Sequence, residues 1–360
     1  MTLAQSIVNK CLRITNKDNV AIFFYPHNLR LAEDIADECF KNGADSLLNL
    51  YSDRFLLSYM TQLSVESLRQ PSVYCKALSE NSTAMVLMNG TYNPRVLKKI
   101  SPERNAASNE GEYKAHYPVM QEKKVRTMDV GIAMVTEPRA RTYGFSYAAW
   151  KKMMNEASNV DYDRLAGVGS RLSERLRRAE SVRVTAAGGT DLSFDMSGRK
   201  WSVSDGVITD DDLREENFSD GLPAGKIFAA PLEESAHGKV AFNVRVPYLG
   251  RNVEQLRWTF RDGQVVKFAG DAAAGKVRES MEKSEGDKRR IGYFCVGFNP
   301  KAKTGYTVSD VASGAVTIGV GANEAIGGKN KSSFFFTGTL TGATVEVDGE
   351  KVVRAGALQV

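Results

Sequence analysis

The first half of the chain alternates apolar, strand-like runs with amphipathic helical segments, and this alternation restricts the fold more than any other feature. Four apolar runs are typical of buried strands: residues 19–24, 46–50, 83–88 and 130–135. Between the first two, residues 29–42 place their apolar side chains on one helical face and stop at Gly43. Strands separated by helices predict a mostly parallel sheet that is covered by helices on both faces.

From about Val182 the pattern changes to short strands punctuated by glycine. The predicted strands are residues 181–184, 192–196, 226–230, 238–245, 255–260 and 265–269. Asp262-Gly263 and Asp348-Gly349 are hairpin signals, and residues 272–283 form a predicted helix. We therefore predict an N-terminal doubly wound α/β domain over residues 1–180. A strand-rich α+β domain is predicted over residues 181–360.

Composition narrows the classes of function. The chain has 360 residues, of which 42% are hydrophobic, and its net charge of +5 is spread along the sequence. Its Arg and Lys clusters are interleaved with Glu and Ser, which favours solvated helix faces over nucleic-acid binding. We find no glycine-rich phosphate loop and no apolar run of the ~18 residues that a membrane span needs. Four widely spaced cysteines and the lack of a secretory signal predict a reduced, cytoplasmic protein.

Ordered blocks of glycine, proline and polar residues follow one another through the second half. They are Gly189-Thr190-Asp191-Leu192, Gly198-Arg199-Lys200-Trp201, Asp205-Gly206, Leu222-Pro223-Ala224-Gly225, Ala230-Pro231, Arg290-Ile291-Gly292, Gly297-Phe298-Asn299-Pro300-Lys301, Gly327-Gly328-Lys329 and Ser332-Ser333. This succession resembles the leucyl aminopeptidase T family of metallo-aminopeptidases. The resemblance covers most of the chain, more loosely before Val182. It implies an aminopeptidase T-like fold, an active-site cleft in the C-terminal domain, and a homodimer.

The resemblance also implies where a metal site would lie. Members of the family bind two divalent metal ions through two Glu, two His and one Asp. The surrounding blocks place these five positions, in chain order, at Lys226, Tyr293, Thr317, Phe335 and Thr337. Divalent metals need carboxylate, imidazole or thiolate donors, whereas these residues offer a cation, a phenol, a phenyl ring and two neutral hydroxyls. We therefore predict no metal, no other cofactor, and no dinuclear aminopeptidase activity.

Without metals, the favoured interpretation is a degenerate aminopeptidase-like protein that binds a peptide or amino-acid-like ligand. It would act alone or beside a partner protein in a pathway. Tyr293 and Phe335 would form aromatic walls, and Lys226 would meet a carboxylate or pair with Asp205, Glu233 or Glu234. The predicted cleft comprises Lys226, Tyr293, Thr317, Phe335, Thr337, Glu233, Glu234 and His237.

Two alternatives involve catalysis. In the first, a metal-independent enzyme uses Lys226 with a lowered pKa as base or nucleophile, Tyr293 as proton donor, and Cys295 as nucleophile. In an extended strand Cys295 shares the face of Tyr293, although a cysteine between apolar neighbours is also typical of a core. The weaker alternative is a metallohydrolase with shifted ligands, built from His237 with Glu233 or Glu234.

Overall fold

The computed structural model describes residues 1–359, which form two compact units. Unit one comprises Met1–Asn159 and Gly206–Ala224, and unit two comprises Val160–Asp205 and the chain from Gly225 onward. The boundary predicted after residue 180 falls inside unit two, just beyond the helix Tyr162–Leu176. The chain therefore passes from unit one to unit two, returns for one short segment, and then completes unit two.

Strands are numbered along the chain. They are β1 (Asn19–Phe24), β2 (Asp45–Leu50), β3 (Ala84–Leu87), β4 (Arg126–Val130), β5 (Ser181–Ala186), β6 (Thr190–Asp195), β7 (Ser202–Ser204), β8 (Ser219–Leu222), β9 (Lys226–Ala229), β10 (His237–Ala241), β11 (Val246–Tyr248), β12 (Arg251–Val253), β13 (Arg257–Arg261), β14 (Gln264–Ala269), β15 (Ile291–Gly297), β16 (Val316–Gly321), β17 (Phe335–Leu340), β18 (Thr344–Val347), β19 (Glu350–Arg354) and β20 (Ala357–Leu358).

The α-helices are α1 (Leu3–Gln5), α2 (Leu29–Lys41), α3 (Asp53–Gln62), α4 (Val65–Leu68), α5 (Val73–Asn81), α6 (Pro102–Lys123), α7 (Glu137–Tyr143), α8 (Tyr147–Ser158), α9 (Tyr162–Leu176), α10 (Asp210–Arg214) and α11 (Ala272–Lys283). A π-helix, Ser6–Cys11, continues α1. Short 3-10 turns cover Pro26–Asn28, Pro94–Lys99, Gly131–Met134, Ser309–Val311 and Glu324–Ile326. In the described part of the chain, no helix combines the length and apolarity needed to cross a membrane.

Unit one is built on a sheet of order β2-β1-β3-β4-β8 in which every neighbouring pair is parallel. This confirms the predicted mostly parallel sheet. Strand β1 is buried from its second residue onward, as its apolar run predicts. Helix α2 buries Ala32, Ile35, Ala36 and Cys39, which recur at the spacing of one helical face.

The prediction for the fourth strand was wrong. Residues 126–130 form β4, and most of the apolar run that follows forms the 3-10 turn Gly131–Met134. Strand β4 contains polar residues, so it lacks the apolar run that predicts a buried strand. Arg126 forms an ion pair with Asp18, and Thr127 is buried with its hydroxyl donating to the Val125 carbonyl at 3.3 Å. Strand β8, which pairs with β4, was not predicted either.

Helix α6 was also missed. It is 22 residues long but contains Gly111 and Pro118, and its apolar residues do not gather on one face. Close packing requires a glycine at position 111, because a Cβ there would lie 2.2 Å from the Leu68 carbonyl oxygen and 2.8 Å from that of Gln70. The glycine lets α6 lie directly against the end of α4. Tertiary contact, which local periodicity does not encode, therefore defines this helix.

Unit two is strand-rich, as predicted, and contains two large antiparallel sheets. One has eight strands in the order β14-β13-β10-β6-β5-β18-β19-β20, and the other has five in the order β17-β16-β15-β9-β7. Both predicted Asp-Gly hairpins form, with positive φ at both turn residues: +49° and +74° at Asp262-Gly263, and +49° and +84° at Asp348-Gly349. Strand β15 is buried along its whole length, so its side chains meet protein on both faces of the five-stranded sheet.

Candidate functional site

One face of the five-stranded sheet collects all five residues at the positions implied by the family resemblance. Residues opposite each other in neighbouring strands share a face, as do alternate residues of one strand. The cross-strand pairs are Lys226–Gly297, Phe228–Cys295, Cys295–Thr317, Tyr293–Gly319, Gly319–Thr337 and Gly321–Phe335. We call the set Lys226, Phe228, Tyr293, Cys295, Thr317, Phe335 and Thr337 the site face.

Gly319 lies at the centre of the site face. A Cβ at this position would lie 2.9 Å from Thr337 Cγ2, 2.9 Å from Tyr293 Cβ and 3.4 Å from Phe335 Cε2. Side chains from the two flanking strands, β15 and β17, therefore meet directly above a residue that has none. A larger residue here would displace them.

Three aromatic rings form one wall. Tyr293 stacks on Phe228 with ring centroids 5.8 Å apart and planes 29° apart. Phe335 meets Tyr293 edge-on, at 5.8 Å and 90°. Tyr293 is buried, whereas Phe335 is 49% exposed and so presents an aromatic surface to solvent.

An ion pair stands beside this wall. Lys226 Nζ lies 2.8 Å from Asp310 Oδ2, and the two side chains are 26% and 27% exposed. The ammonium also lies 5.8 Å from the centroid of the Phe228 ring. Burial acts to lower the pKa of Lys226, but the charge of Asp310 raises it well above the ordinary value. The lysine is therefore held as a cation.

Asp310 was not predicted as the partner of Lys226. The expected acids were Asp205, Glu233 and Glu234, whereas the carboxylate comes from the 3-10 turn Ser309–Val311, 84 residues further along the chain. The surrounding loop is held by its own hydrogen bonds: Ser309 Oγ accepts from the Gly305 N–H at 3.0 Å and donates to the Tyr306 carbonyl at 2.9 Å. We find no sequence signal that links this turn to the lysine.

The candidate nucleophile and proton donor are strongly desolvated. Cys295 is fully buried, burial raises its pKa to about 12, and its thiol donates weakly to the Asp310 carbonyl at 3.7 Å. Burial also raises the pKa of Tyr293 well above its ordinary value. Thr317 is buried, and its hydroxyl lies 2.9 Å from that of Thr339. Neither Cys295 nor Tyr293 has the lowered pKa that an activated nucleophile or base requires.

Three other residues predicted in the cleft, Glu233, Glu234 and His237, have no hydrogen bond or ion pair to the site face in the described chain. Glu233 accepts hydrogen bonds from the Lys329 N–H at 2.6 Å and Asn323 Nδ2 at 3.2 Å, and it forms an ion pair with Arg199. Burial acts to raise the Glu233 pKa, but these bonds hold it below its usual value. Glu234 faces solvent beside Arg290, and His237 is exposed on β10 of the eight-stranded sheet.

The donor chemistry of the site face does not fit a pair of divalent metals. It offers an ammonium, two neutral threonine hydroxyls, phenyl rings, a protonated phenol and a protonated thiol. The adjacent carboxylate, Asp310, is engaged by Lys226. Within residues 1–359, no three His, Cys, Asp or Glu side chains are grouped so that they could hold a metal ion.

Comparison with known proteins found a matching family model, a sequence relative and two solved structures of similar fold. The family model described as thermophilic metalloprotease (M29) matches residues 1–300. Aminopeptidase PepS of Streptococcus thermophilus is 21% identical over 314 residues, covering 80% of this chain and 74% of that protein. Wild-type AmpT from Thermus thermophilus superposes with a TM-score of 0.79 at 16% identity, covering 99% of this chain and 98% of that one. The 2,5-dihydroxypyridine dioxygenase from Pseudomonas putida KT2440 gives a TM-score of 0.62 at 15% identity, covering 99% and 96%. At these identities the structural likeness shows the fold alone.

Proposed function

This chain belongs to the thermophilic metalloprotease (M29) family and is aminopeptidase T-like, and on that premise we propose that its site face binds a peptide or amino-acid-like ligand without a metal pair. The chain would then not act as a metallo-aminopeptidase. The observation that carries the proposal is the Lys226–Asp310 ion pair on an otherwise aromatic and hydroxyl-lined face.

The ion pair supplies two complementary charges side by side. An ammonium has three N–H donors, and only one is needed for the 2.8 Å contact with Asp310. About a quarter of each side chain remains accessible. A zwitterionic ligand with adjacent carboxylate and ammonium groups matches this pair, its carboxylate on Lys226 and its ammonium on Asp310.

The aromatic wall supplies the rest of the recognition. Phe335 is half exposed and stands edge-on to Tyr293, which in turn stacks on Phe228. An apolar or aromatic ligand side chain that covers Phe335 would remove its surface from water. Amino acids and short peptides with such side chains therefore fit better than purely polar ligands.

Loss of the metal pair is part of this proposal. The lysine carries a positive charge at the first of the five positions that the resemblance assigns to metal ligands, and its raised pKa keeps that charge. A cation fixed there repels a metal ion and itself satisfies Asp310. The lysine thereby takes over a charge that a metal would otherwise supply.

Metal-independent catalysis has less support. A general base must be able to lose its proton near working pH, and the pKa of Lys226 is shifted in the opposite direction. Cys295 is fully buried with a pKa raised to about 12, so its thiolate is scarce. Binding without reaction is the function that these shifts favour.

Calorimetric titration with L-phenylalanine, N-acetyl-L-phenylalanine and L-phenylalanine amide tests the proposal. The free amino acid carries both charges, and each derivative lacks one. We expect the free amino acid to bind about tenfold or more tightly than either derivative, since each charge-assisted contact contributes about 1.5–3 kcal/mol. Lys226→Met should remove the preference for the free carboxylate and leave the protein folded.

Lys267→Met is the matched control, because Lys267 is exposed on β14 of the other large sheet. It should bind all three compounds as the parent protein does. Equal affinity of the three compounds for the parent protein, or unchanged binding by the Lys226 variant, would overturn the assignment.

Three features from the sequence stay predictions. A homodimer is expected from the family resemblance, and a partner protein in a pathway is a further possibility of the same interpretation. A reducing, cytoplasmic location accords with the four cysteines, all of which are free in the described chain.

A further inference from the structure

A cavity of about 590 Å³ opens in unit two and contains none of the residues of the site face. It is lined by the β5–β6 turn, by residues 241–245 at the end of β10 and beyond, and by residues 254, 255 and 257 at the start of β13. Thr304, Gly305 and Thr341 complete the lining. The volume lies in the range of small-molecule pockets, ~300–1,000 Å³.

Small residues explain why this space is open. Ala241 of β10 and Arg257 of β13 are direct partners in neighbouring antiparallel strands, so their side chains stand on one face of the eight-stranded sheet. Beside Ala241 the β5–β6 turn carries Gly188, where even an added Cβ would lie 3.9 Å from Ala241 Cβ. A glycine and a methyl group therefore leave a recess that larger side chains would fill, and Arg257 borders it.

Hydrogen bonds between separate segments hold the walls of the cavity in place. The Asn243 side chain accepts from the Thr341 N–H at 2.9 Å and donates to the Thr341 carbonyl at 3.0 Å, which joins the segment after β10 to the turn after β17. Arg245 Nε donates to the Gly305 carbonyl at 3.4 Å and so ties the same segment to a third one. The cavity is therefore formed by the folded chain itself.

The lining carries more positive than negative charge. Two arginines, Arg245 and Arg257, stand against one acid, Glu254. Arg257 is exposed, and within residues 1–359 its side chain makes no ion pair or hydrogen bond. Lys303, also exposed, directly precedes the lining residue Thr304. Guanidinium groups present planar, forked donors that match the oxygens of carboxylates and phosphates.

We propose that this cavity is a second ligand site, which binds a small organic dianion: a dicarboxylate or a phosphate monoester. Its anionic oxygens accept hydrogen bonds from the guanidinium groups of Arg245 and Arg257. A neutral molecule of the same size gains no charge-assisted contact, and a cation is repelled by the two arginines. The site shares no residue with the site face and does not depend on the function proposed for it.

Calorimetric titration with two dianions, succinate and glycerol 3-phosphate, tests this proposal. Each is compared with an uncharged counterpart, succinamide or glycerol. We expect at least one dianion to bind about tenfold or more tightly than its counterpart, and the tighter of the two tells a dicarboxylate site from a phosphate site. Arg257→Met should reduce the affinity for that dianion about tenfold or more, because it removes one guanidinium while the exposed position tolerates the change.

Arg261→Met is the matched control, because Arg261 is also exposed on β13 but does not line the cavity. It should bind the dianion like the parent protein, and so should Lys226→Met. The proposal is overturned if neither dianion binds better than its counterpart, or if Arg257→Met binds as the parent does. An equal loss in Arg261→Met would show attraction to surface charge alone, and a loss in Lys226→Met would place the dianion at the site face; either result also overturns the proposal.

Discussion

Replacing Asp310 by asparagine is expected to lower the free energy of unfolding of unit two by about 2–3 kcal/mol. The substitution leaves the Lys226 ammonium without its carboxylate, and breaking one side of a buried ion pair costs about 3–5 kcal/mol. We place the effect below that range because both side chains are about a quarter exposed and solvent compensates part of the loss. Urea unfolding followed by the fluorescence of Trp201 and Trp258, both in unit two, measures it.

The double variant Lys226→Met with Asp310→Leu is the control for this prediction. It removes both charges, so its stability should return to within about 1 kcal/mol of the parent protein. The Lys226 pKa is raised in the folded state, so the contribution of the pair is complete below the unfolded lysine pKa of about 10.4 and is lost only above it. The difference between parent and Asp310→Asn should therefore be constant from pH 6 to 9. A single variant as stable as the parent would show that the pair does not hold the lysine.

Gly263→Ala is expected to destabilise unit two by about 3 kcal/mol or more. Gly263 has a φ of +74°, and a Cβ there would lie 1.7 Å from the Glu233 carbonyl oxygen and 2.6 Å from its carbon. The variant combines the cost of a left-handed alanine, about 1–2 kcal/mol, with a backbone displacement of about 1–3 kcal/mol. The same urea transition reports the change.

The variant Gly349→Ala separates the cost of the left-handed backbone from the cost of the steric clash. Gly349 occupies the equivalent position of the other Asp-Gly hairpin, with a φ of +84°, but nothing lies within 4 Å of its added Cβ. This variant should lose only the conformational term, about 1–2 kcal/mol. Equal losses at the two glycines would contradict the close packing of the β13–β14 turn against Glu233.

The local sequence pattern predicted correctly those elements whose residue types match their burial or their turn geometry. Strand β1 and helix α2 have apolar residues at the positions that they bury, and both Asp-Gly pairs form the turns that they predict. The pattern failed for β4 because its polar residues are satisfied by distant partners, as with Arg126 and Asp18. It failed for α6 because Gly111 is required by the contact with α4. Both elements depend on contacts with residues far away in the sequence, and a single sequence does not show which residues are in contact.

The candidate site also contains residues that the sequence predicted and one that it did not. The family resemblance named five positions, and the structure brings them to one face of one sheet. Asp310, which engages Lys226, lies in an irregular loop and has no signal in composition or spacing. The direction of the Lys226 pKa also could not be foreseen, because burial and the Asp310 charge act on it in opposite senses. Geometry was needed to show which effect is larger.

Metal content and metal dependence, measured together on the purified protein, test the central claim most directly. After incubation with excess Zn²⁺, Co²⁺ or Mn²⁺ and removal of free metal, elemental analysis should find well below one bound ion per chain. Hydrolysis of a leucyl peptide should be no faster with metal than with a chelator, because Lys226 and the hydroxyl and phenyl groups of the site face offer no adequate donor set. Two tightly bound ions per chain with metal-stimulated hydrolysis, lost in a Thr317→Val or Asp310→Asn variant, would contradict the account.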